Sequence, residues 1–182
     1  MMRGLLINMA VSIPTGDPAE RLLLRAPPDD LEKFWDLLQL IPVPVGAIAD
    51  RLGVEVYSLT LAPNISGLIK RVAAGKFEIQ VNNTDSEVRQ RFTVCHELAH
   101  FLLHRTLIDD DGITDNILYR SQLSNAQESE ANRFAAALLL PWQTVSDWHL
   151  ENFACPIDRA NIKQIGSKFR ASDLAVGYRF GV

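Results

Sequence analysis

Three residues in one short stretch are of the right types, at the right spacing, to do chemistry. In RQRFTVCHELAHFLLH (89–104), His96 and His100 lie four apart. In a helix of 3.6 residues per turn they project from one face and can offer two imidazole nitrogens to a single metal ion. Zinc is the metal that this arrangement suits best. Glu97 follows the first histidine, at the position where an HExxH site holds a carboxylate close enough to take a proton from the water that the metal activates. The pattern predicts hydrolysis as well as metal binding, and it sits in an otherwise apolar helix where three polar groups would be costly to bury without a task.

A catalytic zinc site takes three protein ligands and keeps a fourth position open. The downstream stretch NAQESEANRFAAALLLP (125–141) has the composition of a helix with acidic residues in its first turns. Ala131, Ala135 and Leu138 follow Glu128 at spacings that put it on the core-facing stripe, and Asn132 shares its face. Glu130 lies about 200° round the helix from Glu128, nearer Ala137 and Leu140. Only one of the two glutamates is expected to face the first helix; the pattern favours Glu128 and leaves Glu130 open. His104 extends the series 96, 100, 104, but it stands ~12 Å along the axis from His96 and is expected beside the site or at the helix end. Cys95 points about 100° away from His96 and reads as a buried thiol. His149 has no spacing that ties it to the site and reads as a core or surface histidine.

Other stretches must position these groups. The cluster Pro27-Pro28-Asp29-Asp30 marks a boundary, and Asp29 or Asp30 is expected to cap a helix reaching about Gln39. A second helix after Pro42 and Pro44 should stop at Gly53. Val54, Val56 and Leu59 mark a strand, and Gly67–Arg71 with Phe77–Val81 a hairpin about Ala74-Gly75. An edge strand of this sheet beside the metal could pair with an extended polypeptide. Thr84 and Glu87 form a capping box that would start the motif helix. In the intervening 105–124 segment, Asp109-Asp110-Asp111-Gly112 reads as a solvated turn, and no spacing assigns a role to Tyr119 or Arg120. A short helix follows Pro141, and 158–182 is locally basic, with Arg159, Lys163, Lys168, Arg170 and Arg179.

With 182 residues, of which 47% are hydrophobic, the chain can bury a substantial core. A net charge of −4 gives no basic footprint for nucleic acid. Two cysteines make no disulfide framework and suit a reducing cytoplasm. The apolar run after Arg3 is expected to be neither a secretory signal nor a membrane span.

HELAHFLLH followed by ESEANRFAAALLLP resembles the ImmA/IrrE family of zinc metallopeptidases. GAIADRLGVEVYSL, SGLIKR and FEIQVNN upstream, and IKQIGSKFRASDLAVGYRF at the far end, extend the resemblance over about residues 42–180. Ala99 stands where the family usually has glycine, and Leu140 where methionine is common; neither is a ligand position. The resemblance implies an α+β, zincin-like fold with a small three-stranded sheet packed on the HExxH helix. It implies that His96, His100 and Glu128 bind Zn2+ and that Glu97 is the general base. The substrate it implies is a protein, a helix-turn-helix transcriptional repressor or an antitoxin, cut in the cytoplasm. Residues 1–28 are read as an N-terminal extension and 29–182 as the peptidase domain, closing in a helical segment from about 141.

Two other classes of function compete with this reading. The chain could be a zinc-containing interaction module of a toxin-antitoxin or regulator pair that cuts nothing. The segment 158–182, with Gly166 and the turn near Ser172, resembles a helix-turn-helix and could contact DNA, against which the acidic balance of the whole chain weighs.

Overall fold

The computed structural model describes residues 18–108, 113–116 and 124–182; the Asp109–Gly112 turn, Tyr119 and Arg120 lie outside these, as does the run after Arg3. A short helix α1 (Pro18–Leu23) is followed by α2 (Pro28–Phe34), a 3-10 stretch (Trp35–Gln39) and α3 (Val45–Leu52). Proline at the first helical position starts α2, where its missing N–H costs nothing. Asp29 and Asp30 therefore stand inside the first turn, and neither caps it as the sequence had suggested. Nor does one helix run to Gln39, because the chain tightens to 3-10 geometry from Trp35. Gly53 ends α3 in the left-handed conformation, φ 72°, that favours glycine.

Strands β1 (Val54–Leu59), β2 (Ile65–Ala73) and β3 (Lys76–Asn82) form the expected block, with Gly75 turning the β2–β3 hairpin at φ 71°. A fourth strand, β4 (Ile113–Asn116), adds to it, giving a four-stranded sheet in the order β1-β3-β2-β4. β1 runs parallel to β3, while β2 is antiparallel to both β3 and β4. The polar four-residue stretch ITDN carries no alternation that would reveal β4 in advance.

The motif helix α4 (Glu87–Leu103) crosses the inner face of β2 and β3, where Ile69, Phe77, Ile79 and Val81 are buried. The helix that carries Glu128 and Glu130, α5 (Asn125–Leu139), lies against α4 and also carries α1. Helices α6 (Trp142–Asn152), α7 (Ile162–Phe169) and α8 (Asp173–Phe180) complete the chain. Thr84 does not cap α4. Its backbone N–H and its hydroxyl both donate to Asn82 Oδ1, and Ser86 is the N-cap without a side-chain bond. Asn82 is the stronger claimant because it is buried and must satisfy its own amide, which also donates to the Ile65 carbonyl.

An ion pair within the core ties the two ends of the described chain together. Glu20 on α1 accepts from Arg179 on α8 at 2.8 Å and from the Trp142 backbone N–H at 2.6 Å, and Arg179 also donates to the Leu140 carbonyl. Among the described residues no helix is long and apolar enough to cross a membrane.

Candidate metal centre

α4 turns its histidines inward because Leu98, Ala99 and Leu102 share the core with them, and His96, Glu97 and His100 are all but inaccessible. Glu128 reaches them from the first turns of α5. That helix is held by a capping box in which Ser124 accepts from the Gln127 N–H and Gln127 accepts from the Ser124 N–H. The S-x-x-Q spacing signals this box in the sequence.

The three side chains meet at one point. His96 Nε2 and His100 Nε2 are 3.0 Å apart, and the Glu128 carboxylate oxygens lie 3.4 Å from His96 Nε2 and 3.6 Å from His100 Nε2. Ligands about 2 Å from a tetrahedrally coordinated ion stand ~3.3 Å from one another, so these separations fit a zinc-sized ion. Two imidazoles and one carboxylate are a donor set that zinc accepts with a fourth position left open. Among the described residues His96, His100 and Glu128 thus form a group that could hold a metal.

Other side chains hold the rings. Asn132, one turn beyond Glu128, presents Oδ1 to His96 Nδ1 at 3.1 Å, so that nitrogen carries the proton and Nε2 keeps its lone pair for the metal. The i, i+4 relation of Glu128 and Asn132 was the signal for this contact, although the sequence alone gave the asparagine no partner. Burial, reinforced by the neighbouring His96 and His104, pushes the His100 imidazole down to about 2, so it is neutral and available as a ligand at any ordinary pH. Burial lowers His104 as well, and Arg25 adds to the effect.

His104 stands beside the cluster rather than in it, its Nδ1 3.0 Å from His100 Nδ1 and its Nε2 3.1 Å from Glu130 Oε2. The expectation that only one glutamate would face α4 is corrected here. Glu130 also reaches that helix, at its C-cap residue His104 (φ −125°, ψ 22°), whose Nε2 faces the Glu130 carboxylate. On its other side Glu130 meets Arg25, which follows α1.

Glu97 points at the sheet, not outward. A Cβ placed on Gly67 of β2 would come 3.7 Å from Glu97 Oε1 and 2.4 Å from Thr93 Cγ2. The bare glycine is what lets β2 lie so close to the turn of α4 that carries the carboxylate. β4 pairs with β2 at this point, Asp115 opposite Gly67, and forms that side of the sheet among the described residues.

The remaining candidates lie apart from the cluster. Cys95 is fully buried, and burial pushes its thiol up to about 12, as an inert core cysteine requires. His149 is buried against Phe153 with Nε2 2.8 Å from the Cys155 carbonyl, a packing role. Of the five basic residues near the C-terminus, Arg179 is buried in the ion pair with Glu20 and Arg170 meets Glu87. A cavity of about 460 Å3 bordered by Trp35, Ile41, Thr144 and Trp148 shares no residue with the metal group.

Against known proteins, residues 49–180 match the family model Peptidase_M78, described as the IrrE N-terminal-like domain. No curated protein matches the chain. The match spans β1 to α8 and includes every residue of the His-His-Glu group.

Proposed function

The chain belongs to the Peptidase_M78 family, and on that premise we propose that it is a zinc-dependent endopeptidase acting on one specific protein. The observation that carries this reading is the convergence of His96, His100 and Glu128, with the buried Glu97 directly following His96 on the same helix. These three would hold the ion, with Asn132 keeping the Nε2 lone pair of His96 turned toward it. Bound zinc supplies Lewis acidity, lowering the pKa of water toward neutrality and polarising a peptide carbonyl. Glu97 takes the proton as water attacks that carbonyl and passes it to the leaving amine, serving as base and then as acid.

The substrate class follows from the resemblance in the motifs: a helix-turn-helix repressor or an antitoxin, cut in the cytoplasm. An extended segment of such a protein can pair along β4, an outer strand of the sheet among the described residues, whose Asp115 stands opposite Gly67. The test begins with metal content. About one zinc per chain is expected in the wild type and far less in His96→Ala and Glu128→Ala. Glu97→Gln should keep zinc and fold but leave a cognate repressor uncut, as read by intact-mass spectrometry. Full cleavage by Glu97→Gln would overturn the mechanism, and normal zinc in Glu128→Ala would overturn the ligand set.

A further inference from the structure

The contacts outside the ligand group form a continuous line, Arg25 to Glu130 to His104 to His100. Each link constrains where the next proton can sit. Glu130 is a carboxylate held by a guanidinium, so toward His104 it can only accept, and His104 Nε2 must carry the proton. A neutral imidazole has one N–H, which leaves His104 Nδ1 as an acceptor. Facing it at 3.0 Å, His100 Nδ1 must then donate, and the His100 lone pair falls on Nε2, the atom beside His96 and Glu128.

The opposite arrangement is also self-consistent within the three histidines. With His104 protonated on Nδ1, His100 would carry its proton on Nε2 and donate it to His96 Nε2 across the 3.0 Å gap. The two nitrogens meant for a metal would then be joined by a hydrogen bond and closed to it. The three rings alone favour this second state, which makes one more hydrogen bond and removes the contact of two Nε2 lone pairs; it is opposed by the charge on Glu130, which would then face the His104 Nε2 lone pair at 3.1 Å.

We propose that Glu130 and His104 are positioning residues: a carboxylate–histidine relay that sets the tautomer of His100 and thereby keeps the metal group open. Arg25 orients the carboxylate. It precedes the span matched by the family model, so this control comes from the N-terminal part of this chain. The inference rests on the proposed metal ligands, but its decisive measurement needs no metal.

The experiment uses Glu130→Gln at pH 8, where an ordinary imidazole is neutral. Arg25 should keep hold of the amide oxygen and leave the NH2 group to donate to His104 Nε2, which reverses the line. Long-range 15N spectra of the metal-free protein should place the His100 proton on Nδ1 in the wild type and on Nε2 in Glu130→Gln. Zinc affinity, measured by competition with a chromophoric chelator, should fall by about 10- to 100-fold, as loss of such outer contacts does elsewhere. Adding Arg25→Ala frees the amide to turn its oxygen toward His104, so the double variant should regain both the Nδ1 proton and part of the affinity. A residue that merely filled space would make the double variant no better than the single one. An unchanged His100 tautomer in Glu130→Gln, or a double variant weaker than the single, would overturn the relay. A wild type that takes up no zinc while His100 carries its proton on Nδ1 would refute the peptidase reading and uphold the relay.

Discussion

Gly67→Ala tests how the sheet supports the turn that carries Glu97, the proposed general base. The added Cβ would stand 2.4 Å from Thr93 Cγ2 and 2.9 Å from the Gln80 carbonyl oxygen, where carbon atoms ordinarily pack at about 3.5–4.0 Å. Neither neighbour yields freely: Thr93 is a buried β-branched residue within α4, and Gln80 O is backbone of the adjoining strand. Overpacking of this kind costs about 1–3 kcal/mol, and the reduced freedom of alanine in the unfolded chain returns only about 0.4–1 kcal/mol. The net is a loss of about 1–2 kcal/mol, or a fall in Tm of about 2–8 °C at this chain length. Because the relief available is to push α4 off β2, Glu97 moves with it, and a displacement of about 1 Å at a catalytic group can cost on the order of 100-fold in rate. Cleavage of the cognate substrate, assayed well below Tm, should therefore fall by much more than the fraction unfolded explains. Thr93→Ser removes the clashing methyl at a cost of only about 0.8 kcal/mol by itself, and in the Gly67→Ala background it should restore part of the lost stability. Refutation is simple: a Gly67→Ala protein with wild-type Tm and turnover, or no recovery at all with Thr93→Ser.

Other perturbations probe different layers of the same structure. Glu20→Ala leaves the buried Arg179 guanidinium uncompensated and should lower stability by about 3–5 kcal/mol in urea titrations; a loss under 1 kcal/mol would show that the pair is solvated. Burial raises the Asp30 carboxyl, but hydrogen bonds from Lys33 and Arg105 outweigh it and hold the group below its ordinary 3.8. A depressed carboxyl contributes stability above its unfolded pKa and loses it as pH falls through the folded value. Asp30→Asn should thus be destabilised at pH 7 and approach the wild type below about pH 4, and a pH-independent difference would contradict this. Zinc held between α4 and α5 as proposed would stabilise the fold by about 2.7 kcal/mol at 100 times its Kd, so chelation should lower Tm by about 5–11 °C in the wild type and not in His96→Ala.

What could be read in the sequence was whatever depends on local spacing. His96 and His100 share a face because four residues make about one turn, and the alanine-leucine stripe of 131–138 points Glu128 inward for the same reason. Family motifs around these residues supplied the rest of the site. Contacts between distant elements were not legible. The partnership of Glu130 with His104 needs both the C-cap turn of His104 and the crossing of α4 and α5. Gly67 carries no turn signal, since its role is to leave space against Thr93 rather than to adopt an unusual backbone. Thr84 with Glu87 matched a capping pattern in type and spacing, but Asn82 sits close enough to take the hydroxyl first. In each case what was missed depends on a neighbour brought near by the fold, which local spacing does not encode.

The last prediction concerns residues 18–48, which precede the span matched by the family model. They are tied into the remainder at three separate points: Glu20 to Arg179, Arg25 to Glu130, and Asp30 to Arg105, immediately after His104. Between these ties Leu23, Leu31, Phe34, Leu37, Leu38 and Val43 are buried in the common core. At about 1.5–3 kcal/mol for each such side chain, removing them forfeits on the order of 10 kcal/mol, an upper figure because the unfolded chain already hides some of that surface. Whole domains are stable by only about 5–15 kcal/mol. A chain cut to residues 49–182 should therefore fail to fold cooperatively, giving no sharp thermal transition, poor amide protection in α5 and weak zinc retention, although every proposed ligand is present. If that fragment melted sharply and held zinc like the full chain, the N-terminal helices would be an attachment to the peptidase fold. The expected outcome instead makes them one wall of its core and, through Arg25, part of the apparatus that keeps its histidines in order.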